Sequence, residues 1–333
     1  VFIFNSFLKD ELRPIGKAPR LISSAPLHLS ILMRKYFLGF THHLMKNRII
    51  NGLAVGINPM GDEWSMLGRL HDKKIVVAGD YGTFDCCLEP NAMARVKEMI
   101  HEFYNDYGTK EYHIREVLFD ELVYSRHAFG DAVYEWTGCN PSGNSLTTFI
   151  NCLMCLLMIY SAKIEILEKA EIKGVDDFDA TSYGDDVLAS SNNKNLGFNA
   201  FQQTFAKWDI KFTDEDKKDD AHTVHKSIYD VTFLKRGFTH IKAHSTTKFV
   251  AALSMDTILN CVQWMRKNDH DHTDFANRVE TMLIELSAHG PDVYNTWQRA
   301  ICEASEKTWV GPTFKPMEWR KRFELFLSSD ASY

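Results

Sequence analysis

The clearest chemical signal in the sequence is a pair of adjacent aspartates, Asp185 and Asp186, that follows Gly184. The stretches on either side, residues 178–183 and 187–190, predict two strands, and the Gly-Asp step between them predicts a tight hairpin turn. A turn can direct both carboxylates to one side, and hard divalent cations such as Mg²⁺ prefer oxygen ligands. The pair therefore indicates a divalent-metal site, although Gly-Asp-Asp is also ordinary hairpin-turn chemistry.

A third carboxylate, Asp80, follows residues 74–79, a short valine-rich apolar run that predicts a buried strand. If this strand neighbours the hairpin in one sheet, Asp80 converges with Asp185 and Asp186. Nucleotidyl transfer needs such a set, because two divalent ions about 4 Å apart activate the attacking hydroxyl and neutralise the leaving pyrophosphate. The three carboxylates therefore favour nucleotidyl transfer as the reaction.

The distribution of charge suits a polyanionic substrate better than the total does. The net charge of the chain is −6, which alone argues against a nucleic-acid partner. Residues 1–50 hold eight basic and two acidic residues, a net charge of +6, which leaves −12 for the remainder. The basic residues are Lys9, Arg13, Lys17, Arg20, Arg34, Lys35, Lys46 and Arg48. A basic region that faces an acidic metal site fits a nucleic-acid substrate, and a solvated lysine-rich surface is the alternative.

The composition is that of an ordinary globular protein, with 333 residues of which 45% are hydrophobic and 25% are charged. The longest apolar run, residues 152–160, is too short to span a bilayer, so no transmembrane segment is expected. The seven cysteines are scattered and odd in number, which indicates reduced thiols in a cytosolic compartment. Cys152 and Cys155 form a lone C-x-x-C in an apolar helical stretch, and we interpret them as core residues rather than a zinc or redox site.

Hydrophobic periodicity and turn residues place the other elements. The predicted elements are a strand at 2–8, a loop or hairpin at 9–20, helices at 28–46, 90–104 and 146–168, a loop at 140–143, and a second hairpin at 231–241. The helix at 146–168 is apolar on nearly all sides, so it is expected to be buried. From residue 247 to about 329 the chain is expected to be mostly helical, starting with an apolar stripe that includes Val250 and Leu253.

Several further segments accompany these carboxylates in order along the chain. They are Lys9-Asp-Glu-Leu-Arg13 with Lys17-Ala-Pro-Arg20, Asp80-Tyr-Gly-Thr-Phe-Asp85, Ser142-Gly-Asn-Ser-Leu-Thr147 with Asn151, Phe212-Thr-Asp-Glu-Asp-Lys217, and Phe233-Leu-Lys-Arg-Gly-Phe238. Together with Tyr-Gly-Asp-Asp they resemble the motifs of viral RNA-dependent RNA polymerases. Phe-Leu-Lys-Arg in particular is similar to that of picornavirus-like viruses, including the iflavirus and dicistrovirus groups. The resemblance runs from about residue 9 to 241, and five or six motifs in order are highly specific.

The resemblance implies an α+β fold, a right-hand polymerase with an antiparallel-sheet palm of RRM-like core, partial fingers and a helical thumb. It places the partial fingers at residues 1–72, the palm at 73–242 with a fingers insertion at about 105–140, and the thumb at 243–333. The sequence departs from the family pattern at Pro14–Pro19, a short loop where relatives have a longer one. The chain also begins almost at the basic motif, so we expect much of the N-terminal fingers region to be absent.

The resemblance also implies catalytic roles for individual residues. Asp80 and Asp185, supported by Asp186, bind the metal ions, which are Mg²⁺ with Mn²⁺ as a substitute. Lys217 matches the family's candidate general acid, which protonates the leaving pyrophosphate. A surface lysine in a charged loop is the alternative interpretation of Lys217.

The implied nucleotide-binding residues are Lys9, Arg13, Lys17, Arg20, Asp85, Ser142, Thr147 and Asn151. The four basic residues hold the triphosphate, since the planar guanidinium fork of arginine suits phosphate oxygens. Asp85 and Asn151 sense the ribose 2′-hydroxyl and so favour ribonucleotides, although Asp85 is also a candidate N-cap. The implied RNA-binding residues are Gly143, Lys235 and Arg236. Gly143 belongs to a flexible loop on the template, and an ordinary loop before a helix is its alternative.

The implied partners are an RNA template, a primer strand and ribonucleoside triphosphates, used to replicate the genome of a positive-strand RNA virus. The family implies replication complexes in the host cytoplasm, and it leaves open whether a small viral protein serves as the primer. A reverse transcriptase also has paired palm aspartates, but the combination of Asp85 and Asn151 argues against it. A non-enzymatic RNA-binding module with structural carboxylates is the third hypothesis.

Overall fold

The computed structural model describes residues 1–11, 13, 15–86, 88–174, 177–215, 225–243, 246–263, 272–308 and 314–328. The chain folds into two compact units. Unit 1 comprises Val1–Gly56, Val77–Ala189 and Asn193–Thr223, and unit 2 comprises Ile57–Val76, Ser190–Asn192 and Val224–Tyr333.

The described residues form helices and strands in nearly equal number. The α-helices are α1 Leu27–Lys46, α2 Asp62–Leu70, α3 Pro90–Tyr104, α4 Lys110–Val123, α5 Thr147–Lys169, α6 Phe198–Lys207, α7 Met255–Asn260, α8 Thr273–Ser287, α9 Pro291–Thr308 and α10 Trp319–Ser328. The β-strands are β1 Ile3–Leu8, β2 Leu21–Ser24, β3 Ile75–Tyr81, β4 Tyr124–Phe129, β5 Ala132–Thr137, β6 Asp179–Tyr183, β7 Asp186–Ser191, β8 Phe212–Asp214, β9 Thr232–Phe233, β10 Arg236–Gly237, β11 Thr239–Ala243 and β12 Thr246–Val250.

The three helices predicted from periodicity are confirmed as α1, α3 and α5. Helix α3 shows why its ends were predictable. It has Pro90 in its first turn, where the missing N–H costs nothing, and the Glu89 side chain accepts a hydrogen bond from the Ala92 N–H. It ends at Asn105, which adopts the left-handed conformation that commonly terminates helices.

The sheet that carries the predicted metal ligands has the strand order β6-β7-β3-β8. Strand β3 is buried along almost its whole length, as its valine-rich run predicts. It pairs antiparallel with β8, which sets Asp80 opposite Thr213. The residue before Asp80 must be small, because a Cβ at Gly79 would lie 2.0 Å from the Phe212 ring. The sheet lies in unit 1 except for one end of β3 and one end of β7.

The predicted hairpin around the adjacent aspartates is confirmed as β6 and β7, joined by the two residues Gly184 and Asp185. Gly184 has a φ of 64°, which glycine adopts without the steric penalty that a side chain brings. The turn needs this conformation because two-residue hairpins match the strand twist only with positive φ values. The sequence Gly-Asp-Asp therefore fixes where the carboxylates project.

Helix α5 packs against β6 and α6 in the core of unit 1. Cys152, Cys155 and Ile159 on this helix are fully buried. Among the described helices, α5 alone is long and apolar enough to cross a bilayer by length and composition, and half of its apolar window is buried inside the protein. The core helix of a soluble protein passes the same test.

A second sheet in unit 1 has the order β2-β1-β4-β5. Strand β1 pairs antiparallel with β2 and parallel with β4, and β4 forms a hairpin with β5. The basic stretch at 9–20 joins β1 to β2, so the prediction of a loop or hairpin there is confirmed. The Lys9 N–H donates to the Arg20 carbonyl at 2.8 Å, which brings the two ends of the basic stretch together.

Unit 2 combines α2, short strand pairs and the helices α7 to α10. Its strand pairs are β9 with β10 and β11 with β12, both antiparallel. Helix α8 packs against α9 and α10 around an apolar cluster that includes Ile258, Leu283 and Tyr294. The predicted helical C-terminal region is thus present from Met255 onward.

The helical interpretation of the start of this region was wrong. Residues 246–250 form β12, which pairs with β11 in the register Thr239 to Val250, and residues 251–254 lie outside any helix. The reason is the pairing with β11, because a short apolar run fits a strand or a helix and the available partner decides between them. The apolar stripe through Val250 and Leu253 therefore spans a strand and a connection instead of one helix face.

Candidate active site

A cleft of about 700 Å³ in unit 1 gathers many of the predicted site residues. The predicted residues that line it are Arg13, Arg20, Asp80, Asp85, Ser142 and Asp185. They come from five separate places in the chain, namely the β1–β2 connection, β3, the segment after it, the loop before α5 and the β6–β7 turn. The fold therefore brings together acidic and basic groups that the sequence separates by up to 172 positions.

The two principal carboxylates are presented by the central sheet. Asp80 is the second-last residue of β3, and Asp185 is the second residue of the β6–β7 turn. The turn is anchored from behind, because the Gly184 N–H donates to the Cys152 Sγ at 3.0 Å. Asp186 starts β7 beside the turn and, within the described part of the chain, is not part of the cleft lining.

The predicted ribose-sensing pair is in direct contact. The Asn151 amide donates to the Asp85 carboxylate at 2.7 Å. Burial raises the pKa of Asp85, and the hydrogen bond from Asn151 lowers it in part. Asp85 lies inside a short 3-10 helix, residues 84–86, so it is not the N-cap residue of that helix. A carboxylate and an amide side by side can bond a hydroxyl as acceptor and donor.

The amide of Asn151 is itself held by residues that sequence analysis missed. The Asn140 amide donates to the Asn151 Oδ1 at 2.7 Å and to the Thr147 carbonyl at 3.0 Å. The Asn144 amide donates to the Asn140 Oδ1 at 3.4 Å. The chain of amides fixes which end of Asn151 faces Asp85. No motif or spacing in the sequence identifies Asn140 as a site residue. Its place next to Pro141 in the predicted loop indicates only a turn residue.

The loop at Ser142 and Gly143 is clamped to β2. The Ser23 N–H donates to the Ser142 Oγ at 3.0 Å, and the Gly143 N–H donates to the Ser23 carbonyl at 2.7 Å. A Cβ on Gly143 would lie 2.4 Å from that carbonyl, so glycine is required for the close approach. The Thr147 hydroxyl donates a hydrogen bond to the Pro141 carbonyl at 2.7 Å and so stabilises the loop.

The basic residues of the β1–β2 connection surround one carboxylate, Glu11. Lys9 lies 3.2 Å from it, Arg13 lies 3.4 Å and Arg20 lies 3.0 Å, and Arg13 and Arg20 also line the cleft. Burial raises the pKa of Glu11, but the hydrogen bond from Lys9 and the charges of the three cations outweigh it and leave the pKa lowered. Three positively charged side chains around one carboxylate leave the β1–β2 connection with a net positive charge. Lys17 is exposed, and the described structure does not place it in the cleft lining.

The cleft also contains residues that were not predicted, among them Lys211 and His127. Lys211 lines it, and its carbonyl accepts a hydrogen bond from the Gly82 N–H at 2.8 Å. His127 lines it from β4 with its ring almost fully buried, and its Nδ1 lies 3.1 Å from the Ser23 Oγ. Burial lowers the pKa of His127, so its ring is neutral near pH 7. Its partner is more than a hundred residues away in the chain, which is why no local pattern could reveal the contact.

The remaining predicted residues lie elsewhere. Lys217 is outside the described residues. Lys235 is exposed in the turn between β9 and β10 of unit 2. Arg236 forms a two-pronged ion pair with Glu285 at 2.7 and 2.9 Å and donates to the Ala251 carbonyl. These bonds give Arg236 a structural role in unit 2. Its contact with RNA stays a prediction.

The comparisons with known proteins agree on one family. Residues 1–304 match the family described as viral RNA-dependent RNA polymerase. The chain is 35% identical over 322 residues to the replicase polyprotein of acute bee paralysis virus, with 90% of this chain and 17% of the polyprotein covered. It is 31% identical over 329 residues to that of cricket paralysis virus, with 92% of this chain and 18% of the polyprotein covered.

A solved structure gives the fold. The Sicinivirus 3Dpol RNA-dependent RNA polymerase matches with a TM-score of 0.77 at 24% identity, over 98% of this chain and 67% of that one. The predicted α+β right-hand polymerase fold is thereby confirmed. The chain spans less than a fifth of the polyproteins that it matches. With a family match over most of its length, this chain belongs to the viral RNA-dependent RNA polymerases.

Proposed function

We propose that this chain carries out template-directed RNA synthesis from ribonucleoside triphosphates, by nucleotidyl transfer with two metal ions. The observation that carries the proposal is the single cleft shared by Asp80, Asp185, Arg13 and Arg20. Carboxylates suit divalent cations, and arginines suit the triphosphate that the cations would accompany. The genome served would be that of a positive-strand RNA virus, in the host cytoplasm.

The chemistry of the donors supports metal binding. Asp80 and Asp185 offer hard carboxylate oxygens to the same cleft. In the part of the chain that the structure describes, no three His, Cys, Asp or Glu side chains are already gathered as a metal cluster. Two aspartates still suit Mg²⁺, which is commonly held by one or two carboxylates together with substrate phosphates. When bound, such ions would activate the primer 3′-hydroxyl and neutralise charge on the leaving pyrophosphate.

The residues around the carboxylates would orient the nucleotide. Arg13 and Arg20 would contact its phosphate oxygens through their planar guanidinium groups. Asp85 and Asn151 would bond the ribose 2′-hydroxyl, and a deoxyribonucleotide would lose that bond. Ser142 would contact the template or nucleotide from its clamped loop.

Three other parts of the proposal extend beyond the cleft. Lys235 would bind a phosphate of the primer strand by a sequence-independent contact, and Lys217 would act as the general acid. The fingers, palm and thumb would occupy residues 1–72, 73–242 and 243–333.

Primer extension tests the proposal. A short RNA primer on an RNA template is incubated with Mg²⁺ or Mn²⁺ and ribonucleotides, and Asp185→Asn is compared with the unchanged chain. The variant keeps the size of the side chain and removes its charge, so extension should fall by roughly a thousandfold. Asp131→Asn is the matched control, because Asp131 is exposed between β4 and β5 and should have no effect. Equal extension by all three proteins would reject the proposal.

A further inference from the structure

Cys152 occupies an unusual place for a core cysteine. It directly follows Asn151 on α5 and is fully buried, with 0% of its surface exposed. Asn151 points to Asp85, so consecutive residues of one helix reach two different segments that carry carboxylates. The C-x-x-C pattern is explained as core packing for both cysteines, but packing alone does not account for the bonds that Cys152 makes.

Those bonds join Cys152 to both sides of Tyr183 at the end of β6. The Gly184 N–H donates to the Cys152 Sγ at 3.0 Å, and the Cys152 thiol donates to the Ser182 carbonyl at 3.7 Å. The Ser182 Oγ in turn donates to the Cys152 carbonyl at 3.1 Å. Three contacts therefore tie one residue of α5 to the strand end that leads into Asp185.

The thiol is suited to this double role. Burial raises the pKa of Cys152 to about 11, although the hydrogen bonds from Gly184 and with Ser182 lower it in part. At neutral pH the group is therefore a protonated thiol, which can donate to one backbone group and accept from another. Its reactivity is correspondingly low, because the thiolate is the nucleophilic form.

We propose that Cys152 is a positioning residue for the metal-binding turn. It satisfies the buried N–H of Gly184, the residue whose positive φ aims Asp185 into the cleft. Asn151 holds Asp85, which follows β3, and Cys152 holds the β6–β7 turn that carries Asp185. Helix α5 therefore fixes the positions of these two carboxylates relative to each other. The hydrogen bonds of Cys152 with Ser182 and Gly184 are called the tether below. The role of Cys152 in metal binding rests on the proposed function, whereas the tether itself does not.

Cys155 provides a matched control within the same helix. It is buried to the same degree three residues further on, and its thiol lies beside Tyr81. Removing either thiol therefore creates a similar small cavity in the same core. Only Cys152 contacts the turn through hydrogen bonds given by the described residues. A difference between the two variants therefore isolates the tether from general packing.

The experiment combines amide hydrogen exchange with Mn²⁺ binding measured by electron paramagnetic resonance, on the full chain. Cys152→Ala should speed exchange of the Gly184 amide about tenfold and weaken Mn²⁺ binding about tenfold, because a buried N–H loses its acceptor. Cys152→Ser should restore both, since a hydroxyl can also donate and accept. Cys155→Ala should change neither. If Cys152→Ala does not fold, Cys152→Val fills the volume without offering an acceptor and is expected to show the same two changes.

The outcomes separate the two proposals. Unchanged Gly184 exchange in Cys152→Ala or Cys152→Val, or an equal change in Cys155→Ala, would overturn the tether. Faster exchange with unchanged Mn²⁺ binding would overturn its role in positioning the metal ligands. If the unchanged chain bound no Mn²⁺ and extended no primer, the proposed function would fail, while the exchange data would still decide the tether.

Discussion

The arginines of the cleft and Arg236 of unit 2 have opposite electrostatic surroundings. Arg13, Arg20 and Lys9 share one carboxylate, Glu11, and the Arg20 side chain is 64% exposed. Arg236 forms a bidentate ion pair with Glu285, and the two side chains are 13% and 7% exposed. An excess of solvated positive charge can attract a polyanion, whereas a buried pair with matched charges is already satisfied.

The difference teaches that an arginine in a recognised motif need not do what the motif suggests. The Arg236 guanidinium already donates to the Glu285 carboxylate and to the Ala251 carbonyl, so a phosphate would have to compete with a buried ion pair. The cost of breaking a buried pair is several times that of rearranging an exposed one. The cleft cations are therefore suited to binding, and Arg236 is suited to holding β10 against α8.

The largest expected effect is on stability in unit 2. Glu285→Ala should lower the free energy of unfolding by about 3–5 kcal/mol, because it leaves the Arg236 guanidinium buried without its counter-charge. Urea denaturation measures this without adding salt. The matched change in the cleft, Glu11→Ala, should lower it far less, because the surrounding cations are partly exposed and can be solvated.

Replacing both partners sharpens the same comparison. Arg236→Met combined with Glu285→Leu removes the two charges together, and its stability should recover most of the loss caused by Glu285→Ala. Equal losses from Glu285→Ala and Glu11→Ala would break the distinction between a structural and a binding arginine.

The next effect is on catalysis in unit 1. Arg20→Ala should lower kcat/KM for a ribonucleoside triphosphate about a hundredfold, because two charge-assisted hydrogen bonds of about 1.5 kcal/mol each are lost. The free energy of unfolding should change by less than about 0.5 kcal/mol. Steady-state primer extension measures the first quantity and urea denaturation the second.

Arg95→Ala is the control for removing a positive charge, since Arg95 lies on the exposed face of α3 in a pair with Glu98. It should leave kcat/KM unchanged. An Arg20→Ala protein that uses nucleotides normally, or one that unfolds as readily as Glu285→Ala, would show that the cleft arginines are structural as well.

The features that sequence predicted correctly depend on neighbouring residues. The valine-rich run identifies β3, and Gly184 followed by Asp185 identifies the turn, because strand burial and turn geometry are set locally. These two elements placed Asp80 and Asp185 before any tertiary contact was known. Their meeting in one cleft depends on the sheet order β6-β7-β3-β8, which local patterns do not give. The family resemblance implied only that these aspartates bind the same metal ions.

The features that were missed depend on distant partners. Glu285 lies 49 residues from Arg236, and Ser23 lies 104 residues from His127. A hydrogen bond between such residues follows from how strands and helices assemble, so residue types and spacing cannot reveal it. The strand β12 was mistaken for a helix for a related reason, since its pairing with β11 decides between two patterns that short apolar runs share.

The smallest expected effect concerns a buried histidine of unit 2, which is shielded from solvent as the Arg236–Glu285 pair is. Burial, with a contribution from Lys73, lowers the pKa of His71 to about 3, and its Nδ1 lies 2.9 Å from the Ser190 Oγ. The unfolded chain binds a proton near pH 6.5, whereas the folded chain does not. This contribution to stability is therefore complete above about pH 6.5 and declines as the pH falls from there towards 3.

Between pH 7 and 5.5 this single group should cost about 1 kcal/mol of unfolding free energy. His71→Gln should be less stable at pH 7, because the buried bond to Ser190 is altered, but its stability should fall less steeply with acid. The exposed His113 on α4 gives the control, and His113→Gln should keep the slope of the unchanged protein. Urea denaturation at several pH values measures the slopes. Identical slopes for His71→Gln and His113→Gln would mean that His71 is solvated when folded, and that unit 2 is less closed than its buried pairs indicate.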